Sequence, residues 1–236
     1  MGRDALPVPA GPDISRPDAH AVFVTQWHVP GRAAGLALLD EVAHQWRGAD
    51  RPDGVIAFHG YLNTDDDTVL TYVQAQHPDA YRPFVRTLGG AARAEPVEYR
   101  LRRSVVLDSP ARPPGCAVVA SFDVDGAERQ ERIIESVVGA LDGAPADQHR
   151  GMLTAHFHAS TDGTRVLNYA EWTSDEAHET FLRGATRQAT LRATGATPGV
   201  RPIGFKRYHL HHSIDLRQYI APNTVPNTVP SERSTP

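Results

Sequence analysis

The 236-residue chain has one cysteine, Cys116, so no disulfide can close within it, and zinc or iron–sulfur sites built from several thiolates are excluded. A lone thiol fits a reducing compartment, and a cytoplasmic location is the expectation. No apolar run approaches the roughly 18 residues that cross a bilayer, so no membrane partner is expected. Met1–Arg16 lacks the apolar stretch of a secretory signal. Only Lys206 among the 24 Lys+Arg residues is lysine, and 28 Asp+Glu leave a net charge of −4. No basic stripe marks a nucleic-acid surface. The preference for Arg, with abundant Ala, Gly and Pro, is that of a GC-rich genome such as an actinomycete's. Phosphate-cradling GxGxxG and GxxxxGK[ST] motifs are missing, as is HExxH.

What the chain does have is self-similarity. Shifted by 97 residues, Gly54–Arg86 aligns with Gly151–Arg183 without a gap, and 10 of the 33 positions are identical. AVFVTQWHVPG at 21–31 matches AVVASFDVDG at 117–126, and YRLRRSV at 99–105 matches YHLHHSI at 208–214. The second copy carries about twelve extra residues within Ala189–Arg201.

Each copy predicts the same order of elements. Strands are expected at Ala21–Val29 and Ala117–Val124, rich in Val, Phe and Thr. Helical spacing of apolar residues follows in Ala33–Arg47 and Gly126–Leu141. Two hairpins come next, Val55–Asn63 with Val69–Gln76 and Met152–Ser160 with Arg165–Trp172, the latter turning at Asp162-Gly163. Asp65-Asp66-Asp67 falls in the first turn, where Asp suits turn chemistry better than metal binding. A second helix starts at Pro78 in one copy and is capped by Ser174 in the other. Strands Val97–Leu107 and Ile203–Leu216 close the two units. The result is β-α-β-β-α-β twice: an α+β chain of two tandem ferredoxin-like repeats, with sheets packed bare face to bare face. Residues 20–110 and 115–217 form the repeats. Residues 1–19 and 218–236, rich in Pro and polar residues, read as disordered tails.

The segment NYAEWTSDEAHETFL at 168–182, a Tyr–x–x–Trp strand running into a Ser/Asp/Glu-capped helix, resembles antibiotic biosynthesis monooxygenase domains. The resemblance implies a dimeric α+β barrel, here formed within one chain acting as a pseudo-dimer or pairing further as a homodimer. It also implies a monooxygenase that oxidises an anthrone- or naphthacenone-type polyketide through its enolate, with dioxygen as co-substrate and without flavin, haem or metal. Asn168 and Trp172 match an Asn/Trp pair of the family's pocket; the first copy has Thr71 and Ala75 there, which favours the second half.

Such chemistry needs an apolar cavity, a base, and donors aimed at an oxyanion. Asn168 and Trp172 are the candidates for orienting substrate, and His158 or His156 for taking the proton. Tyr169, His59, Tyr72, Phe157 and His178 are the accompanying candidates for substrate contact. A two-residue hairpin places Phe157 opposite Asn168 and His156 opposite Tyr169, whereas a one-residue bulge brings His158 beside Asn168. The residue types leave that parity open. For His59 and His156, a structural hydrogen bond repeated by duplication is the competing reading. His209, His211 and His212 invite a metal or haem reading, but no acid stands at a diagnostic spacing, and no metal ligands are assigned. Two alternatives remain: a polyketide cyclase of the same fold, using the same groups without oxygen, and a non-catalytic ligand-binding accessory protein.

Overall fold

A computed structural model describes residues 11–48, 53–108 and 113–216. The elements are β1 (Ala21–His28), α1 (Arg32–Gly48), β2 (Val55–Asn63), β3 (Thr68–Ala75), α2 (Pro78–Thr87), β4 (Val97–Val106), β5 (Cys116–Val124), α3 (Ala127–Asp142), β6 (Met152–Ser160), β7 (Arg165–Trp172), α4 (Asp175–Leu182), α5 (Ala185–Gly195) and β8 (Val200–Asp215). Local chemistry places the boundaries. The Ser174 hydroxyl accepts from the Ala177 amide at 3.2 Å and caps α4. In the β2–β3 turn, Asn63 Oδ1 accepts from the amides of Asp67 and Thr68 at 3.0 and 2.7 Å. Asp67 in turn holds Lys206 at 2.8 Å.

The eight strands close into one antiparallel barrel, in the order β1-β3-β2-β8-β5-β7-β6-β4. The two halves do not simply stack. β4 pairs with β1 through Val97–Tyr99 and then with β6 through Tyr99–Val106. β8 runs along β5 through Val200–Tyr208 and then along β2 through Tyr208–Asp215. Each of these strands carries a bulge where it crosses, between Leu101 and Arg103 on β4 and opposite Gly60/Tyr61 on β8. Closure leaves no sheet edge to template aggregation.

Side-chain alternation divides the core in two. Val22, Val24, Leu70, Tyr99, Val119 and Leu167 fill the barrel interior. On the outer surface, α1 and α2 cover the first half and α3 and α4 the second. In the first half the layer is aromatic: the Trp46 ring centroid lies 4.8 Å from Phe58, 4.9 Å from Phe84 and 6.0 Å from Tyr81. In the second half Ile133, Ile134, Val137 and Val138 face Phe157, Ala170 and Trp172.

One expectation needs correction. Residues 11–19 are not a disordered tail. Pro12, Ile14 and Arg16 are buried, Ile14 joins the barrel core, and the Gln74 amide donates to the Asp13 carbonyl at 2.8 Å. Burial of Ile14 outweighs the extended bias of the prolines around it. Residues 1–10 and 217–236, also expected to be tails, lie outside the described residues. The extra residues of the second copy build most of α5, which packs on α3.

Candidate functional site

The β6–β7 register settles the parity. His156 pairs with Tyr169, Phe157 with Asn168 and His158 with Leu167; the bulge falls at the far end, between Met152 and Thr154. Asn168 and Trp172 therefore face the helices, together with Phe157. His156 and His158 face the barrel interior with Tyr169 and Tyr72. The four residues expected to form one site are split across the sheet.

The interior group forms pairs that cross between the halves. Tyr72 Oη lies 3.0 Å from His158 Nε2, and Tyr61 Oη lies 3.0 Å from Tyr169 Oη. Ser104 Oγ lies 2.9 Å from His156 Nδ1, and Ser213 Oγ lies 3.1 Å from His59 Nδ1. His59 and His156 thus make the repeated structural bond. Burial holds all three histidines neutral: His59 and His158 are pushed down to about 3, and His156 to about 4. His158 is 0% exposed, packs against the Tyr72 ring, and lies on the opposite face of the sheet from Asn168.

The sign of the pH effect follows. Unfolded histidine binds a proton near pH 6.5, so below that pH the unfolded chain takes up protons the folded barrel refuses. Each histidine is expected to withdraw up to about 1.4 kcal/mol of stability per pH unit between its unfolded and folded values. Urea unfolding should show a midpoint that falls steeply from pH 7 to pH 5. A flat midpoint over that range contradicts the neutral, buried assignment.

On the helix side of β7 lies a cavity of about 80 Å³. Its walls are apolar: Val118, Ala120, Phe122, Val137 and Leu141 are among them. Into it come Asn168, Trp172, His178 and Arg187. Asn168 Oδ1 and Trp172 Nε1 are buried with no hydrogen-bond partner among the described residues. An unpaired buried polar atom costs about 1–3 kcal/mol, so two in one cavity mark a place where a ligand completes the bonding. His178 is buried beside Trp172, 5.1 Å between centroids. Its Nδ1 accepts from Arg207 Nε at 3.3 Å. Burial first, then the Arg207 charge, lowers it to about 4.

Arg187, on α5, was not foreseen. Its guanidinium carbon stands 5.5 Å from the Phe205 ring centroid, and no carboxylate pairs with it among the described residues. Burial lowers its pKa. Thr190 and Thr194 also line the cavity, and their hydroxyls bond back to the Arg187 and Thr190 carbonyls at 2.9 and 2.8 Å. That self-satisfaction lets threonines present methyl groups to the cavity. The usable signal was the insertion itself, present only in the copy that has the tryptophan.

This donor set, with one imidazole, no carboxylate and no thiolate, is not that of a metal site. A larger cavity of about 400 Å³ opens at one barrel mouth, lined by Gln26, Glu95, Arg165 and Lys206 among others. Its charged groups already have partners: Lys206 is held by Asp67 at 2.8 Å, Arg165 by Asp123 at 3.7 Å and Glu95 by Arg82 at 3.6 Å. The smaller cavity holds two of the unpartnered buried polar atoms, Asn168 Oδ1 and Trp172 Nε1; His59 Nε2, Gln74 Oε1 and His158 Nδ1 are the others among the described residues.

No protein-family model matches the chain, and no curated protein matches it. Solved structures do. An anthrone oxidase-like protein superposes with a TM-score of 0.67 at 14% identity, over 84% of this chain and 94% of that one. A Fusobacterium nucleatum protein named as a candidate monooxygenase gives 0.53 at 11% identity, over 85% of this chain and 96% of that one. A Streptomyces coelicolor monooxygenase solved with nanaomycin D is 33% identical over 47% of this chain and 94% of that one, with a TM-score of 0.33. At the identities of the first two, the likeness is one of fold. The chain is an α+β protein with an eight-stranded antiparallel barrel, and it shares its fold with the anthrone oxidase-like protein and the Fusobacterium nucleatum protein.

Proposed function

We propose that the chain is a fused pair of ferredoxin-like units of the antibiotic biosynthesis monooxygenase type, and that the second-half cavity oxidises a polycyclic aromatic polyketide of anthrone or naphthacenone type. The observation that carries this reading is the pair of unpartnered polar atoms, Asn168 Oδ1 and Trp172 Nε1, in an otherwise apolar cavity beside the unpaired Arg187. They are complementary: one accepts and the other donates, as a hydroxyl and a carbonyl on one ring system require. Four residues of strand separate them by roughly 13 Å along β7, the scale of a fused aromatic laid over Ala170. At about 80 Å³ the cavity is smaller than such a ligand, so admission requires α5 to swing outward with Arg187. α5 turns threonines inward rather than large apolar residues, which makes that motion inexpensive.

In this reading the substrate methylene loses a proton to Nδ1 of His178, the titratable group of the cavity that is neutral at pH 7, once the 3.3 Å hydrogen bond from Arg207 Nε to that nitrogen opens. Arg187 and the Trp172 N–H stabilise the enolate. The electron-rich enolate reduces dioxygen and forms a carbon–oxygen bond to it, giving a substrate hydroperoxide once a proton returns. Loss of water breaks the O–O bond and leaves a carbonyl. The balance is CH2 plus O2 to C=O plus H2O, with no external reductant. The protein works without cofactor and without the barrel histidines. Turnover under ¹⁸O2 tests this: the reading expects one labelled oxygen in the quinone and one in water. A product with no label points instead to a cyclase or to chemistry elsewhere.

A further inference from the structure

Outside the cavity, the long strand β8 carries two consecutive histidines that face the same way. In a regular strand neighbours point to opposite faces. Here the pairing with β2 slips, His212 lying opposite Gly60 and Leu210 opposite Tyr61, so His211 is the extra residue. Both imidazoles then reach the same carboxylate on α1: Asp40 Oδ1 lies 2.6 Å from His212 Nε2 and 3.3 Å from His211 Nε2. One ligand atom from each residue falls within 4.8 Å of the others.

The other half shows what this place does without histidine. On β4, Arg102 and Arg103 precede Ser104 as His211 and His212 precede Ser213, and the same kind of bulge falls there. They pair with α3: Arg102 Nε donates to Glu131 at 2.7 Å, and Arg103 Nε lies 3.5 Å from Glu135. Glu135 and Asp40 are each the ninth residue of their helix. A strand-to-helix ion-pair latch in one half is replaced in the other by two imidazoles and a carboxylate with convergent lone pairs.

We propose that Asp40, His211 and His212 bind a divalent transition-metal ion, Zn²⁺ foremost, which clamps α1 to β8. Two imidazoles and a carboxylate are the ligand set such ions take, at roughly 2.0–2.2 Å from each donor atom. Ligand atoms around an ion at that distance stand roughly 3.3 Å apart, the spacing that His211 Nε2 already has from Asp40 Oδ1, whereas His212 Nε2 must open from 2.6 Å. The side chains are 63%, 35% and 17% exposed for Asp40, His211 and His212, so the ion enters from solvent and keeps water on its open face. One cation stands nearby: Arg47 Nη2 lies 3.5 Å from His212 Nδ1, so its exposed guanidinium must swing away as the ion binds.

Equilibrium dialysis of the untagged, metal-stripped full chain against Zn²⁺ tests the site. One equivalent should bind at micromolar concentration and raise the melting temperature. The double variant His211→Arg with His212→Arg restores the latch of the other half, so it should fold while losing more than about tenfold in Zn²⁺ affinity. Arg47→Ala should bind Zn²⁺ more tightly. His209→Ala, which removes a histidine facing Asp175 instead, should leave binding unchanged. Failure of the wild type to retain Zn²⁺, or equal binding by the double variant, overturns the proposal.

Discussion

Replacing Trp172 by phenylalanine is expected to slow turnover of an anthrone-type substrate by about 10²–10³-fold, the loss typical when one oxyanion donor is removed. Phenylalanine keeps an aromatic ring in contact with His178 and Phe181, whose centroids both lie 5.1 Å from Trp172, and removes only the larger ring's N–H and volume. Folding should be retained, since a large-to-smaller aromatic change deletes little of the packed layer. The companion substitution Asn168→Leu separates site from scaffold. In the free protein Asn168 Oδ1 is buried and unpaired, so an apolar replacement should stabilise the fold by about 1 kcal/mol. It should nevertheless lower turnover, because the substrate hydroxyl loses its acceptor. Stability and activity moving in opposite directions is the signature of a polar group kept for function. Steady-state rates and urea midpoints on the same preparations give both readouts. Wild-type turnover by Trp172→Phe contradicts the assignment of the site.

The second large effect concerns the other half. Trp46→Ala is expected to cost about 3–5 kcal/mol, because the indole is fully buried and touches Phe58, Tyr81 and Phe84 at once. Against a total stability of about 5–15 kcal/mol, a loss of that size lowers the denaturation midpoint sharply. Trp46 occupies, under α1, the layer that in the second half holds the cavity beneath α3. The layer between helices and sheet is thus filled by aromatic rings in the first half and holds a cavity in the second. A Trp46→Ala loss below about 1 kcal/mol would mean that this aromatic layer is loosely packed.

Much of the architecture was legible in the residues. The 97-residue offset, the two hairpins, the Ser174 cap and the Pro78 first turn each rest on local chemistry, and the elements fall within a few residues of their expected bounds. The Asn168–Trp172 pair was legible as well, and the structure brings it together with His178 at one cavity. What escaped was set by tertiary context. The face of β6 that His156 and His158 occupy depends on where a single bulge falls, and no residue type announces a bulge between Met152 and Thr154. α5 carries Thr186, Thr190 and Thr194 where an amphipathic helix shows apolar residues, so hydrophobic periodicity gave no sign of it. Arg187 went with it. The inward packing of Pro12, Ile14 and Arg16 was hidden by a composition that reads as a tail, since the barrel interior that receives Ile14 exists only after both halves close.

Oxygen uptake by the chelator-treated protein with an anthrone-type substrate separates oxygenation from every non-oxidative reaction of the cavity, and chelation keeps the Asp40–His211–His212 site from contributing. One dioxygen should be consumed for each quinone formed, with uptake falling in parallel with turnover in Trp172→Phe. Substrate conversion without oxygen uptake, or uptake that Trp172→Phe leaves at the wild-type rate, would contradict it.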